Sequence, residues 1–251
     1  MRPTDTAARS PPAGATASTL GRMSAPPARC TVLPRLAAGE DGWIVHDLEV
    51  RRSRFLTVLG RVADEAQARA MIAALRRRHH DARHVCSAFV LGPERSVARS
   101  SDDGEPAGTA GTPMLEALTA RETAPGRTDL TDVCAVVVRW FGGVKLGAGG
   151  LVRAYSESVS VALDTTPLVT RSRQAILAVD APHAQAGRWE NELRAAGVAV
   201  LDAGYGAAGV RLRVGVPDSD AQRAAFAARL ADITAGAGRA EPIGTEWIDH
   251  D

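Results

Sequence analysis

From Trp43 to Val62 the segment WIVHDLEVRRSRFLTVLGRV alternates apolar and polar side chains on both sides of Arg51–Ser53. A two-residue period is that of a half-buried strand, so the segment predicts two antiparallel strands joined near Arg51 to Ser53. The period changes in DEAQARAMIAALRRRHH. Asp64 stands as an N-cap, Ala66, Ala70, Ile72 and Leu75 make an apolar stripe, and arginines fill the last turn, which predicts a helix. HVCSAFVLG returns to strand and SSDDGEPAGTAG reads as a loop. TPMLEALTAR reads as a helix with Thr112 as N-cap and Pro113 at its first position. VCAVVVRWF is apolar almost without a break, as in a central strand covered on at least one face. A glycine-rich loop and a helix to about Leu163 complete the order β-β-α-β-α-β-α.

Thr165-Thr166-Pro167 reads as a linker, and the second half repeats the logic. TRSRQAILAVD is a strand, and HAQAGRWENELRAAG is a helix closed by Gly197, with Trp189 and Leu193 on its core face. VAVLDAGYGAAGVRLRVGVP is a strand pair around a Gly/Ala turn, DSDAQRAAFAARLADITAG a helix capped by Asp218 or Ser219, and GRAEPIGTEWIDH a closing strand. This β-α-β-β-α-β order is the split ferredoxin-like one. The expectation is an α+β protein of two domains, residues 42–165 and 168–251, with a boundary near Pro167. Residues 1–41, rich in Ala, Pro, Ser, Thr and Arg, are expected to be disordered, because that composition buries too little apolar surface to offset ordering. Met23 stands within it as an alternative start.

Composition narrows the classes. The chain has 251 residues, 45% hydrophobic and 24% charged, as expected of a soluble globular protein. Aromatics are only 4%, so the core must be built from Val, Leu, Ile and Ala. Lys+Arg number 30 against 29 Asp+Glu, a net charge of +1, so contact with nucleic acid or membrane must use a local patch. Three widely spaced cysteines, Cys30, Cys86 and Cys134, are no disulfide framework and suit a reducing compartment. No apolar run reaches the ~20 residues of a membrane helix, and no secretory signal is apparent, so a cytoplasmic location is expected.

Three stretches carry candidate chemistry. Five glycines fall within the nine residues Gly142 to Gly150, between a strand and a helix: Gly142, Gly143, Gly147, Gly149 and Gly150. Such a corner aims free backbone N–H groups and the positive end of a helix dipole at one spot, a ready anion site, with Arg139, Lys145 and Arg153 adding charge. It is neither a Walker loop nor a dinucleotide fingerprint, since no Gly-Lys-Ser/Thr occurs and Val152 stands where the third glycine belongs. The alternative is a tight corner with Gly149 and Gly150 packed against a neighbouring strand. In the second stretch, Asp102, Asp103 and Glu105 place three carboxylates within four residues. They suit magnesium shared with a phosphate, or pairing with Arg139, Lys145 or Arg153, or a solvated acidic turn. The third is a basic helix end, Arg76, Arg77, Arg78, His79 and Arg83, which either satisfies C-terminal carbonyls or contacts phosphate. Zinc is disfavoured at His80, His84 and Cys86, which lack a partner Cys-x-x-Cys. Nucleophile motifs are absent; Cys134 lies mid-strand, and Ser156 and Ser158 have no base near them in sequence.

SRF at Ser53–Phe55, HHDARHVC at His79–Cys86, SDDGEPAGTAGTPML at Ser101–Leu115 and VVVRWFGGVKLGAGGLVRAY at Val136–Tyr155 together resemble the IMPACT family, in particular its bacterial YigZ-type members. The resemblance spans roughly Trp43 to Leu163 as several motifs in order. Val85, Thr112 and Trp140 depart from the family's usual Asn, basic residue and Tyr. The resemblance implies a first domain similar to the second domain of ribosomal protein S5 and to the fourth domain of the ribosomal translocase. It implies a second domain similar to the translocase's fifth. Eukaryotic members act through protein–protein contact in translational control. The resulting expectation is a non-enzymatic regulator or binding protein linked to translation, without a cofactor, contacting RNA phosphate, the ribosome or a protein partner. The alternative is a nucleotide-dependent enzyme using the acidic and glycine-rich loops with magnesium.

Overall fold

A computed structural model of the chain describes residues 28–35 and 42–250. The alternating segment forms β2 (Ile44–Val50) and β3 (Ser53–Arg61), an antiparallel pair turning at Arg51 and Arg52. Helix α1 (Glu65–Arg78) follows, with Asp64 Oδ1 accepting the Gln67 amide at 2.8 Å and Gln67 Oε1 accepting that of Ala63 at 2.9 Å. This reciprocal cap fixes the helix start. Its buried stripe is Ala68, Met71 and Leu75, while Ala66 and Ala70 are exposed, so the expected stripe is corrected by part of a turn. Met71, omitted from that stripe, decides which face goes in.

Strand β4 (His84–Leu91) turns back into β5 (Val97–Ser101), an edge strand that claims the two serines read as loop. Helix α2 (Gly111–Ala120), strand β6 (Val133–Trp140) and helix α3 (Ala148–Asp164) complete the first unit. Its sheet runs β2-β3-β6-β4-β5, antiparallel throughout, with β6 at the centre. Alternate β6 side chains point to opposite faces. Val133, Ala135 and Val137 pack with α2 and α3, while Cys134, Val136 and Val138 pack with α1. Both faces of β6 are thus covered, which explains its unbroken apolar run. Among the fillers, Tyr155 and Phe55 meet edge to face at 5.2 Å, and each buried ring of this size contributes ~1.5–3 kcal/mol. Ser158 is buried and hydrogen-bonded to Thr57, a structural role.

The second unit comprises β7 (Val169–Ala181), α4 (His183–Ala195), β8 (Ala199–Tyr205), β9 (Val210–Pro217), α5 (Asp220–Thr234) and β10 (Ala240–His250). β10 and β9 flank β7, and β8 pairs with β9, the ferredoxin-like arrangement. Trp189, Leu193, Phe226 and Leu230 bring α4 and α5 onto one face. Ser219 caps α5 by accepting the Gln222 amide. The expected α+β architecture of two sheets and their helices is therefore present.

Disorder across residues 1–41 is corrected at residues 28–35; the rest of that stretch, apart from these eight, lies outside the described residues. Strand β1 (Arg29–Val32) pairs with β7, and Thr31 exchanges backbone bonds with the first unit, donating to Asp129 and accepting from Thr131. Cys30, Val32 and Leu33 are buried, so a short apolar patch inside a polar segment is enough to order it. The two units also share charges. Arg61 grips Asp249 with bonds of 2.6 and 2.9 Å, and Arg171 reaches both Asp132 and Asp249. The hydrogen bonds from Arg61 hold the Asp249 carboxyl below its ordinary pKa. Among the described residues no helix is long and apolar enough to cross a membrane.

Candidate functional site

The glycine loop divides into two kinds of glycine. At Gly142 a methyl group would overlap the Arg52 carbonyl, so this position is held for close backbone packing. Gly143 and Gly147 have φ of +87° and +72°, a left-handed conformation that disfavours side chains. Gly149 is different: a methyl there meets nothing within 4 Å, and at Gly150 it meets only Leu146 of the same loop. The expected alternative, Gly149 and Gly150 against a neighbouring strand, is thereby corrected. Helix α3 begins with Gly147 as a cap that offers no side chain, and its first internal bond runs from Leu151 N to Gly147 O at 2.9 Å. Among the described residues the amides of Ala148, Gly149 and Gly150 have no acceptor, leaving the positive end of a 17-residue helix open.

The acidic loop is built differently from its sequence expectation. Thr112 is exposed and caps nothing; α2 is capped from a distance by Asp102. Its Oδ1 accepts the amides of Gly111 and Ala110 at 2.7 and 3.0 Å, and Oδ2 that of Gly108 at 2.8 Å. Burial pushes the Asp102 carboxyl up, but these amides outweigh it and hold its pKa below the ordinary value. Asp103 accepts the Val85 amide at 2.7 Å and pairs with Arg76 at 2.6 Å. Gly111 lies against the Ser101 backbone, where a methyl would stand 2.8 Å from the amide nitrogen.

These bonds turn Glu105 inward. Its Oε1 accepts from Arg139 at 2.5 Å and from the Tyr155 hydroxyl at 2.9 Å, with His84 Nε2 at 3.8 Å. Glu105 and Arg139 are 8% and 5% exposed, a buried ion pair. Burial, then Cys86 and Glu105, push the Tyr155 hydroxyl far above the ordinary tyrosine pKa, so it acts as a neutral donor. The Arg139 guanidinium lies over the rings of Phe55 and Phe141, 5.4 and 5.8 Å from their centroids, and its Nε–H has no acceptor among the described residues.

The two loops face one cleft of about 430 Å³. Gly147, Ala148 and Lys145 form one wall, Gly104, Glu105 and Pro106 another, with Arg139 between them and Arg83 and His84 alongside. Of the expected site residues, Arg139, Lys145, Gly147, Glu105 and Arg83 converge here. Arg153 is exposed on α3 outside the cleft. The basic helix end is split: Arg76 binds Asp103, Arg78 lies over Trp43 at 5.5 Å, His79 meets Trp140 edge-on at 5.4 Å, and Arg77 is exposed. Burial lowers the His79 pKa. The three carboxylates diverge onto separate partners, and the described residues hold no cluster of three His, Cys, Asp or Glu suited to a metal. Sequence reasoning missed Tyr155, Phe141 and Leu151 as site residues. Ala148, Leu151 and Tyr155 share one helix face by spacing, a signal available in the sequence.

The fold and cleft define a two-unit α+β protein whose strand-to-helix corner holds a largely apolar cleft ringed by charged groups. Residues 51–163 match the Impact N-terminal domain, and residues 179–237 match a domain of unknown function, DUF1949. The chain belongs to the IMPACT family. It is similar to the IMPACT family member YvyE of Bacillus subtilis, 45% identical over 149 residues that cover 59% of this chain and 65% of that one. It is also similar to the IMPACT family member YigZ of Escherichia coli, 37% identical over 190 residues covering 75% and 88%. A crystal structure described as that of a hypothetical protein is 32% identical, with a TM-score of 0.53 over 86% of this chain and 98% of its own.

Proposed function

We propose that this protein is a non-enzymatic binding protein linked to translation, which receives an RNA phosphate in the cleft between the α3 N-terminus and the 102–110 loop. The translation link rests on family membership and on the translational role of the family's eukaryotic members. One observation carries the phosphate reading: an uncapped helix start lines the same cleft as Lys145 and Arg83, neither of which has an ion-pair partner among the described residues. Buried Arg139 lines the cleft as a third cation, already neutralised in part by Glu105. Magnesium-dependent chemistry lacks comparable support, because Asp102, Asp103 and Glu105 are each engaged in holding the loop.

One phosphate neutralised in the cleft gives a shallow salt dependence. By counterion release, affinity for RNA should fall about threefold between about 50 and 200 mM salt. The test is binding of structured RNA and ribosomes across that range, with Lys145→Ala expected to flatten the log–log slope by about one unit. Binding that ignores salt, or a slope unchanged in the variant, contradicts the reading.

A further inference from the structure

We propose that the cleft accepts one unpaired nucleotide of single-stranded RNA, its phosphate at the α3 N-terminus and its base against Phe141, rather than a length of duplex backbone. This rests on the cleft being an RNA phosphate site and names the unit that fills it.

Size is the first argument. At about 30 Å³ per water, 430 Å³ is the space of some fourteen waters, and it lies within the range of small-ligand sites. A phosphodiester group occupies only a small part of that, so the remainder must suit whatever the phosphate carries. The second argument is the wall. Phe141 is 46% exposed at the cleft, with Leu146, Leu151 and Pro106 continuing an apolar surface beside Lys145. An open aromatic face next to a cation is how single-stranded nucleic acid is held, because every base has a π-face to stack; a duplex keeps its bases in the stack.

The polar end of the cleft supplies the third. His84 Nδ1 lies 2.9 Å from the Asp103 carbonyl oxygen, which can only accept, so Nδ1 carries the hydrogen. Glu105 Oε1 is occupied by Arg139 and Tyr155, but Oε2 has no donor among the described residues. That acceptor suits a base edge that offers a hydrogen, whether an amino group or a ring N–H. Arg139 also lines the cleft, but its Nε–H is sealed from solvent, so it acts there through its charge.

The test is fluorescence anisotropy of the full chain with labelled oligo-A, oligo-U and a blunt duplex of equal length, at low salt. Three variants are compared with it: Phe141→Ala, Phe141→Tyr and Lys145→Glu. Oligo-A and oligo-U should both bind more tightly than the duplex, oligo-A at least as tightly as oligo-U because its larger ring stacks better. Phe141→Ala should weaken oligo-A by roughly 5- to 150-fold and the duplex by less than about twofold, Phe141→Tyr should restore oligo-A binding, and Lys145→Glu should weaken every RNA. If Phe141→Ala leaves oligo-A affinity unchanged, or the duplex binds as tightly as oligo-A, the single-nucleotide proposal is overturned while a Lys145 effect still supports phosphate binding. If no RNA binds the wild-type chain, the phosphate reading itself falls.

Discussion

Replacing Gly149 by alanine separates packing from ligand access within the glycine loop. Gly149 is the second residue of α3, its backbone is not left-handed, and a methyl there meets nothing within 4 Å. Alanine restricts the unfolded chain and favours the helix, a gain of about 0.5–1 kcal/mol. For a chain of this size the melting temperature should rise by about 1–4 °C. The same methyl stands beside the open amides of the first turn, so RNA affinity should fall even as stability rises. Gly142→Ala is the counterpart. Its methyl would collide with the Arg52 backbone, which cannot swing away as a side chain would, and overpacking of this kind costs about 1–3 kcal/mol or more. Its melting temperature should therefore drop by about 2–12 °C. Thermal unfolding followed by circular dichroism, with RNA anisotropy on the same samples, reads both quantities. A Gly149→Ala protein that is less stable than wild type refutes the claim that the position is open. One that binds RNA undiminished refutes the claim that the helix start is where the anion sits.

Asp102→Ala strands the amides of Gly108, Ala110 and Gly111. The loss should be about 2–4 kcal/mol in urea unfolding, a lost cap plus a further unsatisfied donor. Because the folded carboxyl has a lowered pKa, that contribution is complete above the ordinary value of 3.8 and fades as pH falls through the folded value, so wild type and variant should converge in acid. A gap that persists unchanged in acid would contradict this. Burial pushes Cys30 up to about 11 and Cys86 and Cys134 up to about 12, so a thiol reagent at mild alkaline pH should label the native chain far more slowly than the unfolded one. Rapid native labelling would show that at least one thiol is accessible.

What the sequence made legible was local and periodic. The run from Val133 to Trp140 announced a central strand because both its faces are buried, and Asp64 and Ser219 announced helix starts because their caps lie three residues from the amides they bind. Contacts between distant positions were not legible. Asp102 caps α2 from eight and nine residues away, which made the nearer Thr112 the apparent cap. Glu105 and Arg139 are 34 residues apart and meet only because β4 and β6 are paired. Arg76 looked like part of a phosphate patch until folding placed Asp103 beside it. β1 was missed because its pairing partner lies in β7, and its four residues carry no period. The glycine corner stood out in the sequence, but only the geometry divides Gly142, which packs, from Gly149, which does not.

The most direct measurement is an amide-resolved NMR titration of the chain with a short RNA at low and high salt. Chemical-shift changes centred on Ala148, Gly149 and Gly150, reversed by salt and lost in Lys145→Glu, are the predicted result. Shifts confined to other surfaces, with those three amides unmoved at saturation, would contradict the assignment of the α3 N-terminus as the phosphate site.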